Sequence, residues 1–202
     1  MLNVTFLAHS GFLVDDGKRC YVFDYYKDPN NIVWQLAKRG RELWFFVTHT
    51  HGDHFNPSIT EFDGPQTRYI CHQDVPLEGK VKKCITMRPG QDATLDDVGI
   101  HMYGSTDEGG SFYVKTNTAN IDSDSIFHAG DLNWWAMFPV DNRLEDAMEW
   151  GSIEFLRRVQ VNKAFIPMHL NGPLWAPSVY FKALFGEVPI WEPQKDGDEA
   201  TF

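Results

Sequence analysis

The chain has 202 residues, of which 43% are hydrophobic and 14% aromatic. That is enough apolar material for one sizeable core and excludes a chain that stays unfolded over most of its length. The formal net charge of −10 excludes a general nucleic-acid binder, because neutralising phosphates requires a basic surface, so no long nucleic acid is expected as a partner.

Met1-Leu2-Asn3-Val4 opens the chain without the cationic start, long apolar run and small-residue cleavage site of a secretory signal. No window approaches the ~20 apolar residues that a spanning helix needs. Cys20, Cys71 and Cys84 are odd in number and scattered, without the spacing of a zinc clip, and are expected as reduced, mostly buried thiols. A cytoplasmic protein with no membrane partner is the expectation.

In chain order, short runs rich in β-formers at 4–7, 12–14 and 20–23 are separated by Gly11 and by Asp15-Asp16-Gly17, the pattern of an antiparallel meander. Ile32, Val33, Leu36 and Ala37 recur at the spacing of one helical face and Gly40 ends the run, which predicts a helix over 31–39. Residues 43–47 are continuously apolar, as in a strand buried on both faces. Turn residues then bound further strands at 68–71, 81–87, 98–103, 111–116 and 124–128.

Leu144, Ala147, Met148, Ile153, Phe155, Leu156 and Val159 predict the longest helix over 143–159, weakened in its middle by Gly151. A buried strand at 163–167 leads to His169, a helix at 177–185 follows, and the tail from Gln194 is charged. No repeat, low-complexity tract or linker is present. The expectation is one α/β domain, residues 1–202, of layered sheet and helix.

The chemistry-bearing segment starts where the strand 43–47 ends, the place where open α/β sheets set their ligands. His49, His51, Asp53 and His54 offer four donors within six residues. Two histidines one residue apart can reach the same ion, while Asp53 and His54 can turn to a second. Neutral imidazole with carboxylate suits zinc, iron or manganese. A lone loop histidine is ordinarily a solvent-facing residue; four ligand-type residues at one strand end, beside Gly52 and two threonines, are better explained by a metal.

This segment resembles the HxHxDH signature of the metallo-β-lactamase superfamily, matched in full by His49 to His54. The likeness extends over most of the chain and is strongest to the branch that contains L-ascorbate-6-phosphate lactonase. The resemblance implies a four-layer αββα sandwich and a hydrolase holding one or two zinc ions, with manganese or iron as alternatives. His128-Ala129-Gly130-Asp131 and Pro167-Met168-His169 look like the superfamily's later motifs. By that likeness Asp131 bridges two metals, completing a first site with His49 and His51, and His169 joins Asp53, His54 and Asp131 around the second.

One element departs from the pattern. The superfamily normally supplies a third first-site histidine before the bridging aspartate, and the corresponding segment here is Gly104-Ser105-Thr106-Asp107. Ser105 stands where histidine is expected. Asp107 or Glu108 is at hand to substitute, and a weakened first site would leave a single metal.

Leu7-Ala8-His9-Ser10-Gly11-Phe12 and the strand ending Phe23-Asp24 resemble further superfamily elements. His9 is a candidate for substrate contact or proton transfer, against a structural role beside Ser10-Gly11. Asp24 is either a carboxylate fixing the tautomer of a ligand histidine or a turn aspartate. Strand alternation sends His128 away from the ligand direction of its neighbours, His72 and His101 have no partner pattern, and Trp134, Trp135 and Phe138 form either a pocket rim or core.

The function that follows is hydrolysis of a small ester, lactone or phosphoester by metal-activated hydroxide, with Asp53 or Asp131 accepting a proton. A small molecule is therefore the expected partner. Two other readings stand beside it: a phosphodiesterase acting on nucleotides, and a catalytically silent metal-binding module, which Ser105 makes credible. Iron redox chemistry would need a flavin domain for which 202 residues leave no room.

Overall fold

The structure, a computed structural model, describes residues 1–105, 108–131, 162–164, 166 and 189–202. It opens with the expected meander: β1 (Asn3–Ala8), β2 (Gly11–Asp15) and β3 (Arg19–Phe23) pair antiparallel in sequence order. Helix α1 (Ile32–Lys38) follows; its first amides, Ile32 and Val33, both donate to the Asp28 carboxylate at 2.8 Å. That carboxylate caps donors the helix itself cannot satisfy, and Gly40, at φ +72°, turns the chain out of it.

The connection through α1 makes β4 (Glu42–Val47) parallel to β3, and β5 (Thr67–His72) and β6 (Cys84–Met87) add in the same direction. A short strand near the chain end, Glu199–Thr201, closes the other edge against β1. Among the described residues the first sheet thus has seven strands. A second, fully antiparallel sheet is built from Asp92–Leu95 (β7), Val98–Gly104 (β8), Gly110–Lys115 (β9) and Ser125–His128 (β10).

Alternation along β4 explains the layering. Trp44 and Phe46 point to the second sheet, where Ile100, Met102 and Phe112 meet them; Leu43, Phe45 and Val47 point the other way, to Val33 of α1 and to Ile59 and Phe62. Because both faces are covered, the strand reads as an unbroken apolar run. The described residues therefore form a helix layer, a sheet and a second sheet.

Trp44 is fully buried, with the Arg19 and Arg68 guanidiniums 5.1 and 5.0 Å from its ring centroid. Trp44→Ala is expected to cost about 3–5 kcal/mol, since it opens a cavity that the flanking strands cannot collapse into. Urea denaturation checks this: a loss under about 1 kcal/mol would show that the indole is not a core element.

Several boundaries differ from expectation. The strand predicted over 81–87 begins only at Cys84, because the Lys82 amide is turned to the Asp63 carboxylate at 3.1 Å. A 3₁₀ turn over Pro57–Phe62 is capped by Asn56, which accepts from the Ser58 amide at 3.0 Å. The short strands β7 and Glu199–Thr201 were not expected. The latter carries no apolar alternation and is held by main-chain bonds, Leu2 and Phe202 exchanging two at 2.8 Å. The three cysteines are free thiols, and among the described residues no helix is long and apolar enough to cross a membrane. Of the strand expected at 163–167, Lys163, Ala164 and Ile166 are described and are not in a strand, while 165 and 167, the helices expected at 143–159 and 177–185, and Trp134, Trp135, Phe138, Asp107 and His169 lie outside the described residues.

Candidate metal centre

The two sheets end together at the carboxyl end of β4. Asp24 follows β3, Thr48 follows β4, and Ala129-Gly130-Asp131 follows β10, so residues far apart in sequence reach one place. Gly130, at φ +56°, lies against Thr48, where a Cβ would come within 3.0 Å of the threonine side chain. Ser111 holds the same turn by donating to the Ala129 carbonyl at 2.7 Å.

Asp24 organises this end of the molecule. It is fully buried and accepts from the Thr48 amide and hydroxyl at 2.8 Å, from His54 Nδ1 at 2.8 Å and from His128 Nε2 at 2.7 Å. Burial favours its neutral form, but His128 and His54 outweigh that and hold its carboxyl well below the usual range. Asp24 itself sits in the left-handed region at φ +44°, as does His9 at +55°; such positions cost energy for residues with a Cβ and cluster at functional sites.

These bonds fix tautomers. Thr48 Oγ1 donates to Asp24, so toward His49 Nδ1, 2.9 Å away, it acts as acceptor; His49 then carries its proton on Nδ1 and leaves Nε2 bare. That Nε2 is buried, lies 3.3 Å from Oδ2 of Asp131 and has no hydrogen-bond partner among the described residues. His54 is held the same way, its Nδ1 on Asp24 and its Nε2 3.0 Å from Oδ1 of Asp131. Burial disfavours charge on His54, yet hydrogen bonds to Asp131 and Asp24 push its pKa up to about 10. A cation is thus strongly favoured where these carboxylates meet.

His51 reaches the same carboxylate, with Nδ1 3.8 Å from Asp131 Oδ2. The donor atoms of His49, His51 and Asp131 all lie within 4.8 Å of one another. Ligands about 2 Å from a shared zinc stand within about 4 Å of each other, so sub-ångström movement would close this set on an ion. The buried, bare Nε2 of His49 is the second sign that the residues fit a metal. Asp53 stands on the other side of His54, its Oδ2 3.9 Å from His54 Nε2 and 3.1 Å from His9 Nε2, while Ser10 Oγ donates to its backbone carbonyl.

The structure therefore brings together His49, His51, Asp53, His54, Asp131, His9 and Asp24. Ser105 is adjacent, but its hydroxyl donates to the backbone carbonyl of Asp131 at 2.9 Å, where it braces the aspartate turn. Of the two groups that stood ready to replace the missing histidine, Glu108 is in place, with Oε2 3.1 Å from His51 Nε2. Two further contributors, Thr48 and Ser10, carry weight that the sequence did not show; a threonine between a buried strand and a metal-type histidine is the one signal that was available, while His128, expected beside the ligands rather than among them, donates to Asp24. His72 and His101 lie elsewhere, paired with Asp74 and Asp92.

No family model matches the chain. In sequence it is similar to a UPF0173 metal-dependent hydrolase of Heliobacterium modesticaldum, 26% identical over 182 residues that cover 85% of this chain and 72% of the relative. In structure it is similar to Igni18, a novel metallo hydrolase of Ignicoccus hospitalis, with a TM-score of 0.70 at 15% identity, covering 100% of this chain and 98% of that one. The metallo-β-lactamase fold protein YhfI of Bacillus subtilis matches with a TM-score of 0.69 at 14% identity, over 98% of each chain. The chain has the metallo-β-lactamase fold, the αββα sandwich expected of it. Its sequence relatives are named metal-dependent hydrolases.

Proposed function

We propose that this protein is a metal-dependent hydrolase of small ester, lactone or phosphoester substrates, working as one domain over residues 1–202 in the cytoplasm. In this reading His49 Nε2, His51 Nδ1 and Asp131 hold one divalent ion. Asp53, His54 and Asp131, with His169, hold a second. The observation that carries the catalytic reading is the unequal exposure of these donors: His49 and His54 are buried, whereas the side chains of His51 and Asp53 are 47% and 41% exposed. The donor set is buried on one side and about half exposed on the other, as a site that admits water and substrate must be; a structural metal site is closed.

A divalent ion there supplies a Lewis acid that lowers the pKa of water toward neutrality and polarises the scissile oxygen. The chain's own groups do the rest. Asp24 holds His54 directly, and His49 through Thr48, so that both rings turn Nε2 toward the Asp131 carboxylate. Asp53 Oδ2, steadied by His9 Nε2 and open to solvent, is placed to take the proton released by the attacking water, with Asp131 as the other carboxylate in reach.

Phosphorylated small substrates are favoured over neutral ones by one feature of the rim. Lys27 sits 4.4 Å over the Tyr26 ring, Tyr26 packs edge-on against His9, and His9 pairs with Asp53, so a chain of contacts links a cation to the proposed proton acceptor. The lactonase-like branch fits the same preference, since its defining substrate carries a phosphate. The test is a screen of lactone, phosphodiester and thioester substrates with zinc-, manganese- and iron-loaded protein. Hydrolysis of one class that disappears in His51→Ala is the expected result. Protein that binds metal and hydrolyses none of them is the silent binding module instead.

A further inference from the structure

The three signature histidines do not face the cavity in the same way. His49 and His54 present Nε2, and their Nδ1 atoms are satisfied by Thr48 and Asp24. His51 is reversed: Nδ1 is the nitrogen toward Asp131, at 3.8 Å, and Nε2 faces Oε2 of Glu108 at 3.1 Å. A neutral imidazole has one proton for two nitrogens, and whichever nitrogen donates leaves the other as the lone pair a metal needs. Asp24 makes that choice for His49 and His54 and does not reach His51.

We propose that Glu108 is the positioning residue of His51: it accepts the Nε2–H, presents Nδ1 bare to the ion, and compensates for the missing first-site histidine by orientation rather than by ligation. The proposal rests on the metal reading above and deepens it. What separates orientation from ligation is placement, because Asp131 and Glu108 lie against the two diverging nitrogen edges of the ring. A carboxylate on the Nε2 edge faces away from the ion that Nδ1 would bind.

The backbone explains how Glu108 comes to be there. Gly109 lies at φ +67° and presses onto the end of β4: a Cβ on it would overlap the Thr48 carbonyl oxygen and stand 2.6 Å from His49 Cβ. Gly110 donates its amide to the same carbonyl at 3.3 Å. Only a residue without a side chain passes this close with positive φ, so the Gly109-Gly110 pair delivers Glu108 to the outer edge of His51. Both side chains are about half exposed, at 52% and 47%. An ion pair so open to water adds little stability, so the contact is expected to matter for metal binding and hardly at all for folding.

Zinc titration in competition with a chromophoric chelator tests this on wild type, Glu108→Ala and Glu108→Gln, with thermal melts of the metal-free proteins alongside. Glu108→Ala should weaken zinc binding by about 10–100-fold, the usual effect of losing a carboxylate that orients a ligand histidine. Glu108→Gln keeps an acceptor oxygen and should stay near wild type, and all three melts should coincide. Nitrogen-15 NMR of neutral His51 in the metal-free protein should show the proton on Nε2 in wild type and Glu108→Gln, and a mixture of tautomers in Glu108→Ala. Unchanged zinc affinity in Glu108→Ala overturns the proposal. So does a loss in Glu108→Gln as large as that in Glu108→Ala, which would make Glu108 a direct ligand. Wild type that binds no zinc, manganese or iron would overturn the metal reading itself and take this proposal with it.

Discussion

Asp131→Ala is expected to abolish hydrolysis, by on the order of 10³-fold or more, and to strip the protein of tightly bound metal. The size follows from position. Its two oxygens contact His49 at 3.3 Å, His54 at 3.0 Å and His51 at 3.8 Å, so among the described residues it is the carboxylate shared by all three histidines of the signature. Under the proposed two-ion reading, losing the shared carboxylate removes a ligand from either half of the site at once, and each factor of ten in rate corresponds to about 1.4 kcal/mol of lost transition-state stabilisation. Paired assays of metal content and turnover check the variant. Bound metal with undiminished turnover would remove Asp131 from the centre.

Asp24 carries the second large effect, expressed in stability as well as in metal binding. Asp24→Ala leaves His54 Nδ1, His128 Nε2, the Thr48 amide and the Thr48 hydroxyl in a buried place without their acceptor. Removing one partner of a buried charged network typically costs about 3–5 kcal/mol. Zinc affinity should fall as well, by about 10–100-fold, because the tautomers of His49 and His54 are no longer imposed. Asp24→Asn separates the two consequences. It keeps the volume but turns an N–H toward groups that are themselves donors, so metal affinity should still drop while the cavity cost is avoided. Denaturation and zinc titration of both variants are the measurements. Wild-type behaviour in Asp24→Asn would return Asp24 to the role of a turn residue.

The parts of the fold legible in the sequence were those in which one local pattern carried the signal. The meander was visible because β-formers alternate with Gly11 and Asp15-Asp16-Gly17, and β4 because five consecutive apolar residues have no other use in a chain of this composition. The donor-rich loop after β4 was visible for a related reason, as four ligand-type residues packed into one short segment. Where the signal was tertiary, the sequence was mute. Glu199–Thr201 is a strand because main-chain groups of β1 are left to pair, not because its side chains prefer a sheet. Asp24 read equally well as a turn aspartate, and nothing local announced that Thr48, His54 and His128 would gather around its carboxylate.

Ser105 and Glu108 show the same limit at the site. A missing histidine was plain from the residues alone, but nothing local told that Ser105 would spend its hydroxyl on the Asp131 carbonyl. Nor could spacing reveal that Gly109 would bring Glu108 to a ring 57 positions earlier in the chain. That placement depends on a close approach of two backbones, Gly109 on Thr48. Contacts of this kind leave a trace in sequence only as an unexplained glycine pair.

Whether distant segments meet around a divalent ion is tested most directly by equilibrium dialysis of metal-stripped protein against zinc, followed by elemental analysis. One or two ions per chain retained after removal of free metal, and lost in Asp131→Ala, is the predicted result. A wild-type chain that leaves dialysis without stoichiometric metal, for zinc and equally for manganese and iron, would contradict it.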